Sequence, residues 1–489
     1  MSINNIIKRL QDIMRNDAGI NGDAQRIEQI VWILFLKVYD AKEENWEFYD
    51  DNFQSIIPEE CRWRNWAVDN KDGKTLTGDA LLSFVNNTLF PSLKALPIDE
   101  NTPINKTIVK DTFVDSYNYQ KDGVLLRQVI NVIDEVDFNE YDDRHAFGEL
   151  YETILKDLQS AGNAGEFYTP RAVTEFMTLM VNPQLGEQVA DFACGTGGFL
   201  TSAMKLMDSQ VKTVEDRELF NRSFFGIEKK ALPHLLCVTN MLLHDLDSPR
   251  IVHGNALEKN VREYEDEHQF DVVLMNPPYG GNEKDTVKIN FPTELRSSET
   301  ADLFMSVIMF RLRENGRCAI ILPDGFMFGT DNAKTAIKTK LMEEFNLHTV
   351  IRLPKSVFAP YTSITTNVLF FDKTKKTEAT WFYRMDMPEG FKNFSKTKPM
   401  KIDHFAPVME WWNKREEISI DGFDKARRYT LKEIQDRSYN IDLCGFPQVE
   451  EVVLDPKATI VNYQERRQAL NDKIDNVLNQ ISTLLGFEL

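Results

Sequence analysis

Apolar positions in the N-terminal part of the chain recur at helical spacing. Ile27, Ile30, Val31, Leu34 and Val38 share one helix face, with Asp23 upstream as the expected cap. A second amphipathic stretch, A-F-G-E-L-Y-E-T-I-L-K-D-L-Q, runs from Ala146 to Gln159. The pattern changes at Ser160, where S-A-G-N-A-G reads as a flexible joint. Beyond it, short apolar runs alternate with helical ones. Val189–Phe192, Phe224–Ile227, Val272–Met275, Cys318–Leu322 and Thr349–Leu353 read as strands, with helical patterns over 199–207, 231–244, 301–314 and 333–345. A third strand end falls at H-G-N-A-L. This alternation predicts an α/β fold with a parallel sheet and helices on both faces. T-N-V-L-F-F-D and A-T-W-F-Y-R-M-D predict two more strands, antiparallel at one edge. Past residue 400 the order weakens until a helix from Tyr463 to Leu485. Its Leu470, Ile474, Val477, Ile481 and Leu484 step by four and three. That seam suits packing either on its own domain or on another chain. The expected division is a helical domain over 1–160, an α/β domain over 161–400 and an extension over 401–489 that ends in the amphipathic helix.

Composition narrows the function classes. A chain of 489 residues is too long for a single core. The apolar run Ile30–Leu36 is too short to span a bilayer, and the N-terminus lacks the features of a signal peptide. The 5 cysteines form no C-x-x-C pair and the 7 histidines show no ligand spacing. A disulfide framework and a metal site are therefore not expected, and a cytoplasmic location is. The net charge of −19 argues against a chain that grips DNA alone, because neutralising phosphates requires clustered Lys and Arg. Any grip on nucleic acid is then shared with a partner. Lys392, Lys396, Lys398 and Lys401 read as a solvated loop, with phosphate contact as the second reading.

Candidate chemistry gathers at four strand ends. D-F-A-C-G-T-G-G-F, residues 191–199, follows a strand and opens a helix, the place of a ligand loop in an open α/β sheet. No Lys-Ser/Thr pair comes after it, so it is not a phosphate-binding Walker loop. Glu228 ends the next strand, placed to accept from a ribose diol. Asn255 and Ala256 follow the third strand, where they can face an adenine ring. The fourth ends in N-P-P-Y-G-G, residues 276–281. Pro277 and Pro278 stop the ladder and stiffen the turn out of the strand. The stretch is either a rigid turn or a site that presents the Asn276 oxygen and the Pro277 carbonyl as paired acceptors beside an aromatic ring.

D-F-A-C-G-T-G-G-F together with N-P-P-Y resembles the S-adenosylmethionine-dependent amino-methyltransferases. The segment G-E-F-Y-T-P-R at 165–171, ahead of the glycine loop, and the long helical N-terminus resemble the modification subunit of type I restriction–modification systems. The resemblance implies a Rossmann-like methyltransferase domain and methyl transfer from S-adenosylmethionine to adenine N6. It implies that Gly165, Glu166, Phe167, Tyr168, Thr169, Pro170 and Arg171 cover the methionine end of the cofactor. Asp191, Gly195, Thr196, Gly197 and Gly198 would line its path, Glu228 would hold the ribose, and Asn255 or Ala256 would meet the adenine. In many relatives an acid stands at the position of Asn255. Asn276, Pro277, Pro278 and Tyr279 would be catalytic, with the Tyr279 ring stacked on a base drawn out of the duplex. Phe358, in L-P-K-S-V-F-A-P, is the candidate second ring. The implied partners are a specificity subunit, a restriction subunit and double-stranded DNA, with two modification copies per specificity subunit and no membrane. A protein glutamine side chain, whose amide nitrogen is equally reluctant, is the alternative acceptor.

Overall fold

A computed structural model describes residues 3–69, 73–99, 101–138, 148, 151–155, 168–359, 361–395, 397–447 and 456–486. Its centre is a ten-stranded sheet in the order β3-β2-β1-β4-β5-β7-β6-β8-β10-β9. The strands are β1 (Val189–Asp191), β2 (Phe224–Glu228), β3 (Arg250–His253), β4 (Phe270–Met275) and β5 (Leu312–Pro323). They continue with β6 (Asn346–Arg352), β7 (Thr366–Asp372), β8 (Ala379–Arg384), β9 (Ile418–Ile420) and β10 (Phe423–Thr430). Strands β1 to β5 pair in parallel. Helices Gly198–Asp208, Ala231–Leu243 and Thr300–Arg311 lie between them and Asn332–Glu344 leads from β5 to β6, as the apolar periodicity predicts. The helix expected over 301–314 stops at Arg311, because β5 begins at Leu312.

The antiparallel strand is not at an edge. β7 lies inside the sheet, antiparallel to both β5 and β6, and β8 runs parallel to β6. The reason is burial: Thr366 to Phe371 are all buried, which requires cover on both faces and a neighbour on each side. Beyond residue 400, where a domain boundary was expected, the sheet continues through β10, which pairs with β8, and β9. Contacts divide the chain into Met1–Gly445 and Phe446–Leu489. The second unit carries the helix Pro456–Leu485, on which Leu470, Ile474, Val477, Ile481 and Leu484 are exposed.

The helix Asp23–Tyr49 forms the core of the N-terminal part, with Ile30 to Leu36 buried all round. Trp32 packs edge-on to Phe90, and Phe35 to Phe113. Asp23 is not its cap: Gly22 holds that position at φ 90°, and Asp23 stands in the first turn, where a negative charge suits the helix dipole. Lys42 Nζ reaches Asp245 and Asp247, tying this helix to the α/β part. Of the stretch 146–159, Tyr151–Leu155 are helical, and the Tyr151 hydroxyl donates to the Leu236 carbonyl at 3.0 Å. The Ser160–Gly165 joint lies outside the described residues. Among the described residues no helix is long and apolar enough to cross a membrane.

One buried cation braces the strands under the site. Arg311, 3% exposed, sits 4.3–5.3 Å from the ring centroids of Phe192, Phe225, Tyr264 and Phe270. Its Nε donates to the His268 carbonyl at 3.0 Å. Removing the guanidinium forfeits desolvated cation–π contacts and leaves a void. Arg311→Ala is expected to cost roughly 3 kcal/mol, read as a lower denaturant midpoint, and Arg311→Met, which keeps the stem, to cost less.

Candidate active site

The site is assembled from the ends of β1, β2 and β4, together with the turn after β3. β1 pairs directly with β2 and β4, so the segments after them emerge side by side. They line one cavity of about 270 Å³.

At the end of β1, Asp191 is buried and its Oδ1 accepts from the Ala193 N–H at 3.1 Å. Burial pushes its pKa up to about 8, and the Glu228 carboxylate adds to the rise. The next turn requires glycine. Gly195 and Gly197 hold φ of 53° and 80°. A Cβ on Gly197 would lie 2.9 Å from both Cys237 Sγ and Met241 Cε, and one on Gly198 would lie 1.9 Å from Arg171 Nη1. The loop and the turn after β2 together hold the next carboxylate. Gly195 N–H donates to Glu228 Oε2 at 2.9 Å, and Lys230 N–H donates to Oε1 at 2.8 Å. Burial still raises the Glu228 pKa, although those two bonds favour the charged form. Each oxygen keeps a lone pair for a further donor.

Asn255 lines the cavity, but its side chain serves its own turn. Oδ1 accepts from the Leu257 N–H at 3.1 Å and Nδ2 points to Glu258 Oε1 at 3.4 Å. Ala256 is buried in the wall beside it.

At the end of β4, the N-P-P-Y-G-G stretch turns out of the sheet. Pro277 is buried and Pro278 exposed. Asn276 Nδ2 donates to Thr169 Oγ1 at 3.1 Å, and the Tyr279 hydroxyl donates to Asn276 Oδ1. The two glycines answer two constraints. Gly280 holds φ 69°, and a Cβ on Gly281 would lie 2.7 Å from Thr300 Oγ1. The Thr300 N–H donates to the Gly281 carbonyl at 3.0 Å, which pins the loop to the start of helix Thr300–Arg311.

Tyr279 and Phe358 both line the cavity, but they meet edge to face, with centroids 6.5 Å apart and planes at 81°. In this arrangement Phe358 packs against the Tyr279 ring. Tyr168 and Thr169 reach the cavity. Arg171 lies behind the glycine loop, paired with Glu152 at 2.5 and 3.1 Å and beneath the Tyr168 ring at 5.0 Å. Pro170 is not part of the cavity wall, and neither is Gly197, whose Cα faces the helix Ala231–Leu243. Gly165, Glu166 and Phe167 lie outside the described residues. Of the lysine run, Lys392, Lys398 and Lys401 are exposed around the buried Phe394 and Met400, as a solvated loop requires. Lys396 lies outside the described residues.

Sequence reasoning missed Thr300 and Phe304 in the wall and Asn240 behind it, whose Nδ2 donates to the Thr196 carbonyl at 3.0 Å. Thr300 and Phe304 sit on a helix buried on nearly every side, where periodicity singles out no face. Asn240 does leave a signal, as a polar residue within a strongly apolar helical run.

A mostly parallel sheet with a glycine turn, two buried acids and a proline-braced amide around one cavity defines an amino-methyltransferase. A family model described as N-6 DNA Methylase matches residues 142–452, and one described as HsdM N-terminal domain matches residues 3–133. The chain is 48% identical over 495 residues to the methylase subunit of the type I restriction enzyme EcoEI of Escherichia coli, covering 100% of this chain and 99% of that one. A modification subunit from Vibrio vulnificus YJ016 superposes with a TM-score of 0.77 at 40% identity, over 88% of this chain and 93% of that one. A structure from a study of type I R-M complex assembly gives 0.82 at 34% identity, over 99% and 98%. The chain belongs to the family of type I restriction–modification methylase subunits, which are adenine-specific DNA methyltransferases.

The raised Asp191 pKa has a consequence for stability. Its ordinary value is 3.8 and its folded value about 8, so the folded chain holds a proton there that the unfolded chain releases. The stabilisation is full below the ordinary value and is lost as pH rises through about 8. Asn keeps the acceptor for Ala193 but cannot ionise. Asp191→Asn is therefore expected to gain melting temperature relative to wild type as the pH is raised from 5 to 8. A constant difference across that range would contradict the assignment.

Proposed function

We propose that the cavity takes S-adenosylmethionine against the glycine turn and an adenine, drawn out of double-stranded DNA, against the end of β4. The observation that carries this reading is the pairing of β1 with β4, which sets the glycine turn and Asn276 on one cavity. The residues fit the cofactor. The loop reaches the cavity through Gly195, Thr196 and Gly198, and Glu228 has lone pairs for ribose hydroxyls beyond those that accept from Gly195 and Lys230. Asp191, Gly195, Thr196 and Gly198 stand along the wall, with Tyr168 and Thr169 at the methionine end. Ala256 and the Asn255 backbone form the adenine side. When bound, S-adenosylmethionine supplies an electrophilic methyl group on a sulfonium.

The exocyclic amine of adenine is a poor nucleophile because its lone pair is delocalised into the ring. The Asn276 oxygen and the Pro277 carbonyl would accept its two N–H bonds and favour a localised lone pair. The prolines hold these acceptors in place, so little reorganisation accompanies the developing charge. The Tyr279 hydroxyl occupies that oxygen in the present arrangement. The amine would displace it, and the freed ring would lie on the base, a contact worth about 1–3 kcal/mol.

The acidic chain would depend on a specificity subunit to read sequence, in the cytoplasm, as two copies per specificity subunit and beside a restriction subunit in the full assembly. Protein glutamine is not favoured as the acceptor, because the relative matched along the whole chain is a type I restriction enzyme methylase subunit and the matching family model is an N-6 DNA methylase.

Labelled S-adenosylmethionine offered to DNA and to total protein tests this reading. The label is expected on adenine N6, weakly with the chain alone and strongly once a specificity subunit is added. Label in protein with none in DNA would overturn it. Asn276→Ala is expected to lower turnover about a hundredfold or more, by analogy with loss of an oxyanion donor. A full rate would show that the chemistry lies elsewhere.

A further inference from the structure

A chain of net charge −19 repels phosphate over most of its surface. Where it touches a nucleic-acid backbone, it needs cations gathered locally and left without acids. The segment F-K-N-F-S-K-T-K-P-M-K, residues 391–401, has that composition, with 4 lysines and no acid. Lys392, Lys398 and Lys401 are exposed. Exposure alone is what any solvated loop shows. The place of this loop in the fold gives it a task.

The sheet carries the loop to the edge that holds the site. β5 runs parallel to β4, β7 antiparallel to β5, β6 antiparallel to β7, and β8 parallel to β6. β8 therefore points the same way as β4, and the chain leaves it at the edge where N-P-P-Y leaves β4. The loop is then fastened beside the cavity. The Phe394 N–H donates to Ser356 Oγ at 2.9 Å, and Phe358, in the same segment as Ser356, lines the cavity. Ser395 and Lys401 share with Ser356 the wall of a second cavity, and Tyr168 lines both. Buried Phe394 and Met400 anchor the loop from below. Phe391, Phe394 and His404 cluster with ring centroids 5.2–5.6 Å apart. Ser395 and Lys398 exchange backbone hydrogen bonds of 3.0 and 3.1 Å, which closes the turn between them. The lysines thus stand on a backbone already ordered, so a ligand need not pay for ordering it.

A base drawn out of a duplex brings its own phosphodiester to the rim of the pocket that receives it. We propose that residues 391–401 form a phosphate clamp, in which Lys392, Lys398 and Lys401 hold the backbone of the DNA strand that bears the extruded adenine. This rests on the adenine-methylating reading of the cavity and adds the surface that holds the strand against it. Such contacts position the strand and carry no sequence information, which suits a chain that leaves sequence reading to a partner.

The test uses the full chain assembled with a specificity subunit. DNA binding is measured over a range of salt concentrations, and S-adenosylmethionine binding by calorimetry. The triple variant Lys392→Gln, Lys398→Gln, Lys401→Gln is expected to flatten the dependence of log affinity on log salt by about 1 per lysine, roughly 3 in all. The affinity is expected to fall about tenfold or more at moderate salt, alike on every duplex sequence, while the dissociation constant for S-adenosylmethionine stays within about twofold. Replacing the same three residues by arginine is expected to restore the slope. The control removes three lysines from the opposite edge of the sheet, Lys375, Lys376 and Lys432, where β7 and β10 end. An unchanged slope in the loop variant would overturn the proposal. So would an equal flattening in the control, which would mark a general effect of net charge. Loss of the specificity subunit at an unchanged slope would make the loop a protein-docking surface and overturn it as well. A wild-type assembly that binds DNA but methylates none would instead defeat the functional reading itself.

Discussion

In a parallel sheet every strand ends on the same edge, and a cleft opens between the neighbours at which the strand order reverses. β1 and β4 are such neighbours, with Val189 opposite Val272 and Ala190 opposite Val273. Some 80 residues separate D-F-A-C-G-T-G-G-F from N-P-P-Y, yet the pairing sets both on one cavity. The chemistry arises from that adjacency. The glycine turn supplies backbone without side chains, and the proline-braced amide supplies an acceptor beside it.

Polar groups buried around the cavity are held by the loop rather than by distant partners. Glu228 accepts from the backbone of Gly195, and the Thr196 carbonyl accepts from Asn240. Arg171 and Glu152 form an ion pair behind the same turn, which links the helical segment Tyr151–Leu155 to the loop. A pair of this kind adds little net stability but is costly to break, so it fixes geometry. Asp191 is the exception. Its carboxyl is buried with one backbone bond, which leaves its charge poorly supported and its pKa high.

Periodicity alone revealed most of the strands, because buried parallel strands read as continuous apolar runs. The glycine loop, Glu228 and N-P-P-Y were legible because each breaks the local pattern at a strand end. What escaped was set by contacts distant in sequence. Nothing within T-N-V-L-F-F-D tells whether it sits at an edge or between β5 and β6. β10 carries four charged residues and β9 is only three residues long, so their pattern reads as loop. That the Asn255 oxygen closes its own turn is a local contact to which Asn is prone. The Thr169–Asn276 bond spans more than a hundred residues and has no signature along the chain.

A crystal structure of the chain with S-adenosylmethionine bound would decide whether strand adjacency builds the site. The cofactor is expected to lie along the glycine turn, its ribose at Glu228 and its methyl carbon turned toward Asn276. A cofactor bound outside this cavity, or one whose methyl group points away from the end of β4, would refute that origin of the chemistry.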